Sequence, residues 1–384
     1  MKSIFIKAIW SSLLILTVAS CKKDAKTIEA NNGQHNGSVQ YAKGFSIDRE
    51  GDFTVVSVTN PWPNAKHSFR YAFVPKETLE KISVSKDFYD AIITTPIENL
   101  VVTSTTHIPA LESLGGLDKL KGFPDTDYIS SMPARQLINA KKIIDLGSNE
   151  TLNTEMVLEM NPDALVGFAI DNQNTTYELL QKSGIPILFN GDWTEQTPLG
   201  KAEWIKFFGV LLQKEKEADS IFKTIANSYH QIKELAKTSN KKPTVMSGAL
   251  YKDVWYLPAG ESWASQFLAD ANTNYLWAET KGTGSLALSI EAVLEKGQKA
   301  DYWIAPSQFT TYENLANANT HYIKFNAYNK KKLFTYSATK GPTGGLLYFE
   351  LAPQRPDIVL KDLVHIFHPE LQPNYIPYFF KALE

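Results

Sequence analysis

The chain of 384 residues carries 39 Lys and Arg against 41 Asp and Glu, a formal charge of −2 at neutral pH, which excludes the basic stripe that nucleic-acid binding requires. Its length favours about two domains, because single cores stop growing near roughly 250–300 residues. With 43% hydrophobic residues it buries a sizeable core, and its 8 Trp, 17 Tyr and 20 Phe serve either two packed cores or an aromatic binding cleft.

The N-terminus reads as a targeting segment. Lys2 and Lys7 supply a charged start, IWSSLLILTV is an apolar stretch too short to span a bilayer comfortably, and Val18-Ala19-Ser20-Cys21 puts small residues before the chain's only cysteine. This resembles a bacterial lipobox, in which the cysteine is diacylated and becomes the mature N-terminus. Residues 1–20 are then expected to be a lipoprotein signal peptide, with Cys21 the lipidated residue. No thiol remains in the folded part, which fits an oxidising envelope, and two acyl chains anchor stably where one does not. The expected location is the cell envelope, lipid-anchored and facing the periplasm or the cell exterior. Residues 22–40, KKDAKTIEANNGQHNGSVQ, are polar and read as a flexible tether.

From residue 41 to 95 the pattern alternates. FSIDREGDFTVVSV turns at Glu50-Gly51-Asp52 and SFRYAFV alternates again, so a small β-meander is expected. From Leu100 the pattern becomes strand–helix–strand. VVTS, ALVGFA and IPILFN are buried-strand runs, separated by the helical HIPALESLGG and TTYELLQKSG, which argues for a parallel sheet covered by helices. Residues of about 200–238 follow as a bridge, ending in EKEADSIFKTIANSYHQIKELAK, which has helical apolar spacing and no Pro or Gly and is expected to be one long helix. After Pro243 the alternation resumes with TVMSGAL, VWYLPAG and SWASQFLADA, and it closes with LFTYS and the helix PDIVLKDLVHIFHP. The fold class is α/β. It has two lobes with mainly parallel sheets, about 97–199 and 243–384, joined by a long rigid helix and preceded by a β-rich segment.

One phrase occurs twice: LNTEMVLEMNPDALVGF from Leu152 and LSIEAVLEKGQKADYWI from Leu288. Glu155 and Glu291 stand 136 residues apart (291 less 155), too far for a solenoid repeat of about 20–50 residues and right for two similar lobes. Asn153 and Ser289 are N-cap residues in waiting, which puts each Glu in a first helical turn where the macrodipole favours an acid.

Enzyme motifs are missing: there is no G-x-S-x-G, P-loop, H-E-x-x-H or Cys-x-x-Cys. Gly282, Gly284 and Ala287 of KGTGSLA do not follow a strand as a dinucleotide loop does. His365 and His368 share a helix face, as metal ligands would or as a helix C-terminus favours. Neither a catalytic residue nor a resident cofactor nor a bound metal is expected. In open α/β sheets, ligands sit outside the carboxyl ends of the strands. Those positions hold Thr105, Thr106 and His107, Phe123 and Tyr128, Phe168, Asp171 and Asn172, Trp193, Tyr251, Trp263 and Lys340. Aromatics with a few polar groups suit a large, partly apolar ligand in a cleft drawn from both lobes.

Taken in order, VVTSTTHIPALESLGGLDKLKGF, NTEMVLEMNPDALVGF, LLQKSGIPIL, the bridging helix, LPAGESWASQFLADANTNYLWAE, SIEAVLEKGQKADYWI and RPDIVLKDLVHIFHPEL resemble the periplasmic binding proteins for ferric siderophores, haem and cobalamin that feed importers of the ABC type. The resemblance covers residues 97–371 and leaves out the segment 41–95. It implies two lobes on a rigid helix with little closure, a ligand between them, no catalysis and a monomer. It also implies that Glu155 and Glu291 dock on a permease dimer in the inner membrane. Under it the ligand-binding residues are Thr106, Phe123, Tyr128, Phe168, Tyr251, Trp263, Lys340 and Arg355. Two departures bear on the ligand. The Trp that cobalamin binders carry is replaced by Gly147 and Ser148 in IIDLGSNETLN, and Arg355 lies near, not at, the usual arginine position. Lys252, Lys281, Lys340 and Arg355 are the cations available for an anionic chelate, and the insertion SATKGPTGGLLYFELAPQ is long enough to reshape that wall. The expected cargo is an iron chelate, a siderophore or haem, with cobalamin as the alternative. A manganese or zinc importer component needs converging His, Asp and Glu, of which only His107 is placed. A surface receptor lipoprotein accounts for residues 41–95 but not for the twin glutamates.

Overall fold

The computed structural model describes residues 39–149, 151–171 and 173–384. The expected signal peptide, Cys21, nearly all of the expected tether, and Asn172 lie outside the described residues. Alternating sequence builds the first sheet from β1 (Phe45–Glu50), β2 (Phe53–Val58), β3 (Phe69–Pro75) and β4 (Ala91–Thr95). The expected meander holds for three strands, which pair antiparallel in order. The fourth differs, since β4 runs parallel to β3. Residues 76–90 carry the chain back across the sheet before β4 starts, a connection of the length a parallel pair needs.

The first lobe is a five-stranded, all-parallel sheet. Its strands are β5 (Leu100–Val102), β6 (Leu120–Phe123), β7 (Ile144–Asp145), β8 (Ala164–Gly167) and β9 (Ile187–Phe189), in the order β7-β6-β5-β8-β9. β5, β8 and β9 are buried at every position, as continuous apolar runs covered by helices on both faces should be.

The second lobe contains β10 (Thr244–Ser247), β11 (Ala249–Tyr251), β12 (Val254–Pro258), β13 (Asn274–Tyr275), β14 (Ser285–Leu288), β15 (Tyr302–Ile304), β16 (Leu333–Thr335) and β17 (Lys381–Ala382). β13-β10-β15-β16-β17 form one sheet, parallel except for β17. The other three make a separate antiparallel sheet in the order β11-β12-β14, which the strand–helix reading of the sequence did not contain. Gly248 creates the corner between β10 and β11. Its φ is +80°, and a Cβ there would lie 1.9 Å from the Tyr256 carbonyl oxygen, so only glycine fits.

The bridge consists of Pro198–Glu203, Ile205–Leu211 and then one unbroken helix, Glu215–Lys237. At about 1.5 Å per residue its 23 residues span roughly 34 Å. Ala218, Phe222, Ile225, Tyr229, Ile232 and Ala236 make its buried stripe, against Ile205–Leu211 and the last helix, Pro356–Phe367. Polar contacts fix both ends. Lys206 reaches Glu203 at 2.9 Å and Asp219 at 3.1 Å, while Asp270 of the second lobe takes Lys233 at 2.7 Å and the Tyr229 hydroxyl at 2.7 Å.

Two buried carboxylates hold the N-terminal sheet to this body. Glu203 accepts backbone N–H bonds from Gln40, Tyr41 and Ala42, and Glu195 accepts those of Lys43 and Gly44, all at 2.6–3.0 Å. The Tyr71 hydroxyl accepts from Phe189 N–H at 2.9 Å, which ties β3 to β9.

The lobes also meet at a second place. After β16 the segment 337–354 crosses to the first lobe as a strap. Its Glu350 accepts from the backbone N–H of Ser130 (2.5 Å) and Ser131 (2.9 Å), Thr343 donates to the Asp127 carbonyl (2.6 Å), and Gln354 donates to Ser113 (2.9 Å). A Cβ on Gly345 would lie 2.4 Å from the Tyr128 carbonyl oxygen, so glycine permits the close approach.

Candidate functional site

A cavity of about 370 Å³ opens beyond the carboxyl ends of the central strands of the second lobe, where open α/β sheets place ligands. Ser247, Gly248 and Ala249 follow β10, Ala305 and Ser307 follow β15, and Tyr336 follows β16. The β11–β12 hairpin contributes Tyr251, Tyr256 and Leu257, and the helix Trp263–Asp270 contributes Trp263 and Phe267. Tyr348 and Phe349 of the strap and Phe380 close it.

The geometry is that of an aromatic box. Tyr336 and Tyr348 stack at 4.3 Å with 9° between their planes, and Trp263 stands 5.4 Å from Phe267 and 6.0 Å from Tyr348. Burial raises the Tyr336 and Tyr348 phenols above their ordinary range, so both remain neutral. Ala305 and Ser307 both have φ of +52°, a left-handed conformation that non-glycine residues adopt at a cost of roughly 1–2 kcal/mol each. Strain of this kind concentrates at binding sites, where the surrounding structure holds it in place. Two hydrogen bonds hold it here, Ala305 N–H to Phe334 O at 2.8 Å and the Ser337 hydroxyl to Ser307 O at 2.8 Å.

On the other side of Trp263 lies Lys201, its ammonium 5.1 Å from the indole centroid. Burial lowers the Lys201 pKa. The ammonium donates to the carbonyls of Asp192 and Trp193, both at 3.0 Å. Lys201, Asp192, Thr106 and Gln354 line a much smaller space of about 10 Å³ at the seam between the lobes, room for about one water. His107 is buried near that seam and packed 5.4 Å from Phe208, and burial pulls its imidazole down to about 4.

The sequence-predicted residues therefore separate. Tyr251 and Trp263 line the large cavity, and Thr106 lines the seam. Phe123, at the end of β6, is only 2% exposed and packs in the hydrophobic core. Tyr128 is exposed beside the strap, and Phe168 is half-buried, edge-to-face with Trp193 at 6.0 Å. Lys340 is exposed at the root of the strap, bridged to Leu346, and Arg355 is paired with Asp357 at the start of the last helix. The strap and the Lys201–Trp263 contact join the lobes at the seam, and the cavity of about 370 Å³ lies in the second lobe and its strap.

His365 and His368 bond the carbonyls of Gln372 and Ala271. Among the described residues no group of three or more His, Cys, Asp or Glu is placed to hold a metal ion, and no helix is long and apolar enough to cross a membrane.

Glu155 and Glu291 occupy matching positions, exposed in the first turns of Thr154–Met160 and Ile290–Gly297. The Asn153 side chain accepts from Met156 N–H at 3.1 Å, and the Ser289 hydroxyl from Ala292 N–H at 3.3 Å. The backbone N–H of Glu291 and the Ser289 hydroxyl hold the Glu291 carboxyl below its ordinary range. Sequence reasoning missed the Tyr336–Tyr348 stack and Lys201. The only signal was the aromatic content of the insertion that supplies Tyr348 and Phe349.

Comparisons agree with this architecture. A family model described as periplasmic binding protein matches residues 100–339. An uncharacterized lipoprotein of Methanocaldococcus jannaschii is 27% identical over 291 residues, covering 73% of this chain and 67% of its own length. Among solved structures, a possible iron-binding (periplasmic solute-binding) protein from Staphylococcus epidermidis aligns with a TM-score of 0.56 at 17% identity, over 71% of this chain and 100% of its own. The periplasmic haem binding protein HutB of Vibrio cholerae aligns at 0.53 and 18% identity, over 68% and 99%. The two-lobed fold, the cavity beyond the strand ends and the matched model together place this chain in the periplasmic binding protein family.

Proposed function

We propose that the protein is the lipid-anchored substrate-binding component of an ABC importer, which captures an iron chelate, a siderophore or haem, and delivers it to the permease. The observation that carries this reading is the aromatic cavity of about 370 Å³ at the carboxyl ends of the second lobe's strands, within the usual range for small-molecule sites, about 300–1,000 Å³. Its walls offer rings and hydroxyls but no nucleophile–base pair, so the cargo leaves as it came. Support for the cargo class comes from structural neighbours described as a possible iron-binding protein and a haem binding protein. Support for the anchor comes from the Val-Ala-Ser-Cys21 sequence and a relative described as a lipoprotein. Glu155 and Glu291 are the docking residues, one on each lobe, matching a permease dimer of two equivalent halves.

Calorimetric titration of the chain lacking residues 1–21 with ferric siderophores, haem and cobalamin tests the proposal. One of them should bind at one per chain and be recovered chemically unchanged. Binding of none of them, or recovery of an altered molecule, refutes it.

A further inference from the structure

The cavity is uncharged throughout. Not one of its lining side chains is Asp, Glu, Lys, Arg or His. The hydroxyls of Ser247, Tyr336 and Tyr348 line it and take no hydrogen-bond partner among the described residues. Three neutral hydroxyl groups on an apolar wall are free to donate to or accept from oxygen or nitrogen atoms of a ligand.

The neighbouring charges point the same way. On the first lobe the ends of strands β6 to β9 and the loops after them carry Asp125, Asp127, Asp145, Asp171 and Asp192. Two cations of that lobe are engaged, Arg135 with the Thr126 carbonyl and Asp127, and Lys201 with two carbonyls. Of the basic residues that the sequence offered for an anion, Lys281 pairs with Glu261 at 3.1 Å and Arg355 with Asp357 at 2.8 Å, while Lys252, its ammonium 5.6 Å from the Tyr251 ring centroid, and the exposed Lys340 stand outside the lining.

We infer that the cavity selects an uncharged ligand rich in hydrogen-bonding oxygen and discriminates against polyanionic chelates. This rests on the reading of the cavity as the ligand seat. A polyanion would enter a site whose lining offers no counter-charge and lose its hydration there, which opposes binding. An uncharged chelate with carbonyl-type oxygens meets the three hydroxyls and lays its apolar face on the Tyr336–Tyr348 stack.

The test compares two hexadentate ferric complexes of similar size, a neutral trihydroxamate and a trianionic tricatecholate, titrated into the wild-type chain, Trp263→Ala and Ser285→Lys. Ser285 is exposed at the cavity rim, so a lysine there adds a cation without entering the core. The neutral complex should bind at least about tenfold more tightly to wild type, and Ser285→Lys should narrow that ratio by strengthening the trianion. A trianion that binds as tightly as the neutral complex, and loses affinity in Trp263→Ala, overturns the charge inference while leaving the seat in place. Binding of neither complex, or binding indifferent to Trp263→Ala, overturns the seat and the inference with it.

Discussion

Replacing Trp263 by alanine separates a ligand seat from a packing site. The indole walls the cavity, packs 5.4 Å from Phe267 and 6.0 Å from Tyr348, and has the Lys201 ammonium 5.1 Å from its centroid. Removing it deletes the aromatic wall and enlarges the space. Loss of a central aromatic anchor commonly weakens binding by about 2 kcal/mol or more, roughly thirtyfold in Kd. The ring is only half-buried, so the stability loss should fall below the roughly 3–5 kcal/mol of a fully buried aromatic truncation. Urea denaturation checks that the variant is folded under the binding conditions. Calorimetry is the better binding assay, because the chain has 8 tryptophans whose quenching would overlap. Trp193→Ala serves as the contrast: its ring sits on the first lobe against Phe168, and its removal should change Kd by no more than a few fold. An unchanged Kd in folded Trp263→Ala, above all with a weakened Trp193→Ala, would place the ligand elsewhere.

Two further outcomes are expected. Glu155→Arg/Glu291→Arg should leave ligand affinity nearly untouched, because rim charges far from a site couple weakly to it. Uptake in cells should collapse, since like charges set against each other at an interface cost several kcal/mol, and normal uptake by the folded double variant would reduce both residues to helix-capping roles. Glu350→Gln should change how stability depends on pH. Burial lifts the Glu350 carboxyl to about 7, outweighing its two backbone hydrogen bonds, against an ordinary value of 4.5. The folded chain thus holds this proton more tightly than the unfolded one. The resulting stabilisation is complete below pH 4.5 and is lost as pH rises through 7. The variant should flatten that decline by on the order of 2 kcal/mol in urea titrations at successive pH, and an unaltered profile would assign the decline to other groups.

Local signals carried most of the fold. The unbroken helix is the same run, Glu215–Lys237, that lacks Pro and Gly in the sequence, and each repeated glutamate sits behind its own capping side chain. What the sequence withheld was pairing at a distance. Nothing in VWYLPAG announces that β12 leaves the parallel sheet to pair with β11 and β14, because periodicity reports burial and not partners. The cavity was half legible for the same reason. Tyr251 and Trp263 follow strands and were found by that rule, whereas Tyr348 reaches the cavity on an irregular strap that no period describes. Phe123 stands at a strand end by the same rule and is packed in the core.

The carboxylate clamp at Glu195 and Glu203 has a bearing on how the chain matures. Gln40 is gripped by a side chain 163 positions later in the sequence, so the segment made first waits for much of the first lobe to be synthesised before its anchor exists. Contacts of such separation close late, because the intervening loop must first be ordered. The order of emergence and the order of locking thus run in opposite directions along this chain: Gln40 to Gly44 emerge before the carboxylates near residue 200 that hold them.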